Sequence, residues 1–184
     1  MILAALTIAL AAVTADSASS PPQRFQLRSS FGPDDPIPIV HTCDQYDLSP
    51  PLGWRGAPAG TKSFALIVDD PDAPDPAAPK VVWVHWVLYD IPGDASGLPQ
   101  DAKGKKLPRG TRLGINDWKQ PMYRGPCPPV GEHRYFFKLY ALDVVLPDLG
   151  RATKADLEKA MAGHVLAKAE LVGRYRHPEK PAAE

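Results

Sequence analysis

The chain has 184 residues and a mass of 19.9 kDa, with 44% hydrophobic and 23% charged residues, the balance of one globular domain rather than of a disordered chain. Lys+Arg and Asp+Glu number 21 each, so no net charge draws the protein to nucleic acid or to an anionic membrane. Proline, at 22 residues, stands at more than twice its usual share of roughly 5% and argues against a helical bundle or a βαβ repeat, because it breaks helix interiors and central ladder bonds.

Met1 to Ala15 reads MILAALTIALAAVTA. Its apolar run, Ile2 to Val13, is shorter than the roughly 20 residues a membrane span needs. It has the length of a signal-peptide core, and Val13-Thr14-Ala15 is a small-residue cleavage site, although no Lys or Arg precedes Arg24. The reading is a signal peptide over 1–15, a polar linker over 16–23, a folded domain over 24–176 and a flexible tail over 177–184. Export would place the domain in the periplasm or outside the cell; without a functional signal it would be cytoplasmic. No later stretch approaches spanning length, so no stable membrane insertion is expected.

The Pro-free windows are where regular structure has to lie. Thr61 to Asp69 (TKSFALIVD) is short, apolar and β-rich, which predicts a buried strand. Lys80 to Ile91 (KVVWVHWVLYDI) predicts a second. Alternation gives it one face of Val82, Val84, Trp86 and Leu88 and another of Trp83, His85, Val87 and Tyr89. Both are apolar, so the strand is expected inside a sheet. Asp94 to Met122 is weakly patterned and reads as loop with short extended pieces. His133 to Asp143 (HRYFFKLYALD) predicts a third strand, with His133, Tyr135, Phe137 and Leu139 on one face. Thr153, with Asp156 three residues on, caps a short helix over ADLEKAM that Gly163 ends. Val165 to Arg176 predicts a last strand with one wetter face. The expected fold class is mainly β (α+β), in one domain.

Cys43 and Cys127 are the only cysteines and form no C-x-x-C, so a redox motif or zinc ribbon is poorly supported. Two readings stand: a disulfide, which export favours, or two buried thiols.

The residues able to carry chemistry are scattered. Asp69-Asp70-Pro71-Asp72-Ala73-Pro74-Asp75 follows a buried strand and makes a stiff acidic turn, which by itself is equally well a solvated turn. His85 and His133 could each be a satisfied structural histidine. Taken together, two imidazoles on sheet faces, the acidic turn and the loop Arg124-Gly125-Pro126-Cys127-Pro128-Pro129 can converge at one sheet end. Such a cluster fits a small-anion pocket with Trp and Pro walls. His41, Cys43, Asp70, His85, Cys127 and His133 are metal-ligand types at no recognised ligand spacing, so no metal and no cofactor are expected. No G-x-S-x-G, H-E-x-x-H, Walker A or G-x-G-x-x-G occurs, and no nucleophile is identified with its base, so an enzyme is not expected.

Five stretches, in this order, carry a resemblance: CDQYDLSPPLGW (43–54), GTKSFALIVDDPDAP (60–74), VHWVLYDIP (84–92), GPCPPVGEHRYFFKLYALD (125–143) and GHVLAKAELVGRY (163–175). Together they resemble the phosphatidylethanolamine-binding protein family, in its bacterial Raf-kinase-inhibitor-like branch. The resemblance implies a central antiparallel sheet packed on a smaller sheet with short flanking helices. It also implies a pocket for phosphate-type anions or phosphorylated head groups. By motif position that pocket comprises Asp70, Ala73 and Pro74; Trp83 and His85; Cys127 and Pro128; and His133 and Tyr135. Cys127 stands where animal members look to have glycine. The chain also ends soon after its last strand, without the helix that partly lids the pocket in animal members, which implies a more open site.

Both cysteines fall in family-type motifs near this pocket, which adds to the expectation of a Cys43–Cys127 disulfide. The resemblance also points to a cis Ala73-Pro74 peptide. The expected function is binding of a small anionic or phosphorylated ligand. The alternative is a protein-interaction or inhibitor module acting on a kinase or protease through the pocket rim; kinase regulation by animal relatives does not transfer on fold alone.

Overall fold

The computed structural model describes residues 24–178; the expected signal peptide, the linker and residues 179–184 lie outside them. In chain order the elements are β1 (Gln26–Arg28), β2 (Leu52–Arg55), β3 (Ser63–Asp70), β4 (Trp83–Pro92), β5 (Gly97–Leu98), β6 (Arg112–Leu113), β7 (Glu132–Leu142), α1 (Lys154–Met161) and β8 (Val165–Arg176), with single 3-10 turns at Ile39–His41 and Gly104–Lys106. A five-stranded sheet has the order β6-β4-β3-β7-β8, and a three-stranded sheet the order β1-β2-β5. Every strand pair in both is antiparallel. The expected fold class and two-sheet architecture are therefore present. No described helix is long and apolar enough to cross a membrane.

The order of the large sheet follows from burial. β3 is buried at every position, which suits its central place between β4 and β7. β8 alternates buried and wetter residues along Ala169–Tyr175, as an edge strand should. One apolar cluster lies between the sheets, where Trp54 and Leu52 of the small sheet meet Phe64, Leu66, Trp86, Leu88, Tyr135 and Phe137 of the large one. A second lies on the opposite face, where Leu157 and Met161 of α1 cover Ala65, Ile67, Val87 and Tyr89. α1 begins as the sequence predicts: Thr153 accepts from the Asp156 amide, and the Asp156 carboxylate accepts from the Thr153 amide.

One expectation is corrected. Strict alternation would put Val84 on the face of Trp86 and Leu88, and His85 on that of Val87 and Tyr89. Instead Val84 belongs with Val87 and Tyr89 to the helix-side cluster, and Trp86 with Leu88 to the inter-sheet one. The cause is a bulge. Val68 pairs with Trp86 and Asp69 with Val84, so His85 is the extra residue in β4. His85 packs on Tyr135, a member of the inter-sheet cluster, so His85 and Trp86 face the same side in succession.

Candidate functional site

The bulge carries His85 to the end of the large sheet, where a cleft of about 520 Å³ opens between the β3–β4 turn and the loop leading into β7. All nine residues singled out from the sequence border it: Asp70, Ala73, Pro74, Trp83, His85, Cys127, Pro128, His133 and Tyr135. Four more do so that the sequence reading did not select: Lys80, Val81, Trp118 and Pro129. The walls are mainly aromatic and proline rings.

The acidic turn is folded on itself. Asp70 Oδ1 accepts the Asp72 amide at 2.8 Å, the Ala73 carbonyl accepts the Lys80 amide at 2.9 Å, and the Ala73-Pro74 peptide is cis. Asp72 does not serve the cleft. Its carboxylate takes the Arg134 guanidinium at 2.6 and 2.9 Å and the Arg134 amide at 2.9 Å, which holds its pKa below the usual carboxylate range. Asp69, fully buried, turns to the other face and meets Lys138 and Lys154, each at 2.6 Å. Of the four carboxylates in the turn, only Asp70 borders the cleft.

Asp70 Oδ2 lies 2.7 Å from His133 Nδ1, and His133 Nε2 lies 3.0 Å from the Val130 carbonyl oxygen. Asp70 and Val130 between them occupy both nitrogens of this completely buried ring. His133 is thereby spent inside the protein, and both oxygens of Asp70 are held, by His133 and by the Asp72 amide.

His85 differs. Its Nδ1 lies 2.6 Å from the Arg124 carbonyl oxygen, which fixes the proton on Nδ1 and leaves Nε2 without a hydrogen-bond partner among the described residues. The same loop residue returns the contact, the Arg124 amide donating to the His85 carbonyl at 3.2 Å. Burial pushes the His85 pKa below its ordinary value, and the Arg124 carbonyl and the charge of Asp70 only partly offset this. Tyr135, between the two histidines, stands with its ring 5.2 Å from His85 and 6.4 Å from His133. Its hydroxyl is buried with no hydrogen-bond partner among the described residues, although the Cys127 amide is nearby. Burial, with the Asp70 charge adding to it, pushes the phenol pKa well up.

Trp118 lies in the weakly patterned 94–122 segment. The Asp117 amide donates to the Val84 carbonyl at 3.0 Å and the Asp117 carboxylate accepts the Val84 amide at 2.7 Å. That lashing to the edge of β4 sets Trp118 edge-on to Trp83 at 5.3 Å and to His85 at 5.1 Å, with the Arg124 guanidinium 5.5 Å from its ring centre. Trp-Lys in a loop offers no periodic signal, so only contact with the sheet edge reveals it.

Cys127 closes the cleft on its far side and is joined to Cys43 by a disulfide with Cα atoms 5.5 Å apart, as expected. The Cys43 amide donates to the Pro126 carbonyl, and the Tyr123 hydroxyl to the His41 carbonyl, so the two segments are also tied through the backbone. Gly125 is required here, because a Cβ on it would run into the His41 carbonyl oxygen. His41 lies outside the cleft as a buried histidine between Leu48 and Ser30.

The sequence model of the family described as phosphatidylethanolamine-binding protein matches residues 28–176. A UPF0098 protein of Methanothermobacter thermautotrophicus is 52% identical over 141 residues, covering 76% of this chain and 90% of that protein. One from Aquifex aeolicus is 45% identical over 150 residues, covering 80% and 85%. Among solved structures, a putative phosphatidylethanolamine-binding protein homolog from Chlamydia trachomatis, CT736, superposes with a TM-score of 0.77 at 39% identity, covering 84% of this chain and 98% of that one. Escherichia coli YbcL, described as a new member of the mammalian family, gives 0.75 at 34% identity, covering 84% and 99%. With its two sheets and its nine motif residues gathered on one cleft, the chain belongs to the phosphatidylethanolamine-binding protein family.

Proposed function

We propose that the cleft binds a small anionic or phosphorylated ligand without transforming it. The observation that carries this reading is the pair of polar atoms without a hydrogen-bond partner among the described residues at an apolar-walled cleft, His85 Nε2 and the Tyr135 hydroxyl. The Tyr135 hydroxyl is buried, and a buried polar group without a partner is costly, so a ligand that satisfies it recovers that cost, and His85 Nε2 adds a second bond. The Tyr135 hydroxyl donates to an anionic oxygen. Neutral His85 offers a lone pair at Nε2, which accepts from a ligand P–OH; the protonated ring donates there instead. Lys80, exposed at the rim, supplies a cation for the net charge. Asp70 is no obstacle, because His133 and the Asp72 amide already hold both its oxygens.

Calorimetric titration with inorganic phosphate and with phosphoethanolamine tests the reading. Binding is expected to both, and to be lost in His85→Ala and reduced in Tyr135→Phe. No heat and no competition from either compound in the wild type would end it.

A second reading, a protein partner seated on the rim, draws on Val81 and Val130, which are 49% and 54% exposed beside the cleft. The Cys43–Cys127 disulfide is in keeping with export to an oxidising compartment.

A further inference from the structure

Behind the disulfide lies a second arrangement that ligand binding does not use. His177, just past the end of β8, has Nε2 3.9 Å from Cys127 Sγ and Nδ1 2.6 Å from Asp44 Oδ2. One ligand atom from each of Cys43, Cys127 and His177 falls within 4.8 Å of the others. The Asp44 carboxylate also accepts the Tyr175 hydroxyl, and that bond, followed by the His177 contact, holds its pKa below the ordinary carboxylate range. An acceptor at Nδ1 puts the His177 proton there and leaves Nε2 as a base facing sulfur. The groups facing His177 are Asp44 from the turn after Cys43, Tyr175 from β8 and Cys127 from the loop before β7. No other titratable side chain among the described residues lies in hydrogen-bond or ion-pair reach of it. The two sulfurs are also unequal, Cys127 being exposed and Cys43 half-buried.

We propose that, once a dithiol reductant has opened the disulfide, this cluster is a thiol–disulfide exchange site for small-molecule disulfides, with Cys127 as nucleophile, His177 as its base and Cys43 as the resolving thiol. The Cys127 proton passes to His177 Nε2, and the thiolate attacks one sulfur of the substrate disulfide. A Cys127–substrate bond forms, the substrate's own S–S bond breaks, and its leaving sulfur takes the proton from His177. Cys43 then attacks Cys127 Sγ, restoring the protein disulfide, and the second substrate thiol departs with the Cys43 proton. One protein dithiol and one disulfide become one protein disulfide and two thiols. Asp44 orients the imidazole and supports its charge while the proton is held. Because Cys127 also borders the cleft, the exchange has an approach that the half-buried Cys43 lacks.

The test begins with reduced wild-type protein, freed of reductant and alkylated with limiting iodoacetamide at pH 7, the two sites being separated by peptide mapping. Cys127 is expected to react at least about tenfold faster than Cys43, because its thiolate fraction exceeds that of an ordinary thiol with a pKa near 8.5. In His177→Asn the Cys127 rate is expected to fall about tenfold and its pH profile to move up, with the Cys43 rate unchanged. Reduced wild type mixed with 2-hydroxyethyl disulfide is expected to release two equivalents of 2-mercaptoethanol and recover the Cys43–Cys127 bond. Equal reactivity of the two cysteines, a Cys127 profile that His177→Asn leaves in place, or loss of near-ultraviolet dichroism on reduction would overturn the proposal.

Discussion

His133 Nδ1 lies 2.7 Å from Asp70 Oδ2 in a pair that is buried on both sides. The second nitrogen of His133 is bound to the Val130 carbonyl and the second oxygen of Asp70 to the Asp72 amide, so the pair locks the acidic turn to the start of β7. The two histidines of the cleft therefore have separate tasks: His133 builds it, and His85 faces what enters it. His133→Ala leaves the buried Asp70 Oδ2 without its hydrogen-bond partner, a change that costs about 1–3 kcal/mol. His85→Ala removes a ring whose one hydrogen bond among the described residues is to the Arg124 carbonyl, and its cost is expected to be smaller. Urea denaturation of the two variants checks the order; equal destabilisation would mean that His133 is not the clamp.

Burial of neutral histidines predicts acid sensitivity. His85 and His41 both have pKa values lowered by desolvation, each partly offset by a backbone carbonyl. With folded values below the unfolded value of about 6.5, the unfolded state binds more protons as pH falls past that point. The stability of this pair is fully present above about pH 6.5. It is lost as pH falls toward the folded values, by up to about 1.4 kcal/mol per pH unit for each ring. Urea midpoints at pH 7.5, 6.5 and 5.5 should fall in that order. A His41→Gln/His85→Gln variant should show a flatter profile; an unchanged slope there would remove these rings as the cause.

The long strands and the capped helix could be read from sequence because each leaves a local mark, a Pro-free β-rich window or a Thr-x-x-Asp cap, whereas the full set of nine cleft residues came from the family resemblance. What escaped the reading is set by long-range pairing. The bulge at His85 depends on how β4 registers against β3, and no alternation within β4 reveals an extra residue. Trp118 is placed by Asp117 bonding to Val84, and the His85 tautomer by a backbone carbonyl of Arg124. The strands β1 and β2 are three and four residues long and gain their place by pairing, β1 with β2 and β2 also with β5. The division of labour between His85 and His133 escaped for the same reason, since both imidazoles look alike until their partners are known.

The disulfide spans a sequence separation of 84 residues. A loop of that length gives a nominal stabilisation of about 4–5 kcal/mol, with about 2–5 kcal/mol typical when a native bridge is removed. Cys43→Ser/Cys127→Ser is expected to lower stability within that range while leaving the five-stranded sheet intact, because the ladders of β3 with β4 and β7 involve neither cysteine. Gly125→Ala, with both cysteines present, is expected to cost about 1–3 kcal/mol through overpacking against the His41 carbonyl. Thermal melts of the two variants measure both; a Gly125→Ala melt equal to wild type would show that the loop yields there without strain.

Trp118 is the wall residue whose loss should separate binding from folding. It is only half-buried, and it packs on His85 and Trp83 rather than in either apolar cluster. Trp118→Ala is expected to weaken phosphate-type ligands about tenfold, by opening the His85 environment to water, and to shift the urea midpoint little. Affinity that survives this substitution unchanged would place the ligand elsewhere in the cleft.

The proton chemistry of His85 gives the sharpest prediction for the ligand. In the empty cleft its neutral form is favoured by burial, and its Nε2 then presents a lone pair. Sulfate has no proton to give that lone pair, so it is bound well only when Nε2 carries a hydrogen. Binding must then take up a proton, and affinity rises as pH falls. The gain should approach about tenfold per pH unit between the pKa of the sulfate-bound ring and the lowered pKa of the free one. Below the pKa of the empty site the ring is already protonated and the rise ends. Phosphate should respond less steeply, because its own P–OH can donate to neutral Nε2 and its charge grows with pH, its second pKa being near 6–7. Calorimetry with sulfate at pH 7.5, 6.5 and 5.5, in two buffers of different ionisation enthalpy, gives affinity and proton uptake together. His85→Ala should lose both the uptake and the pH dependence. His133→Gln, if folded, should keep them, since His133 has no nitrogen free for the ligand. Sulfate affinity independent of pH in the wild type, or uptake that persists without His85, would sink the assignment of anion recognition to this ring.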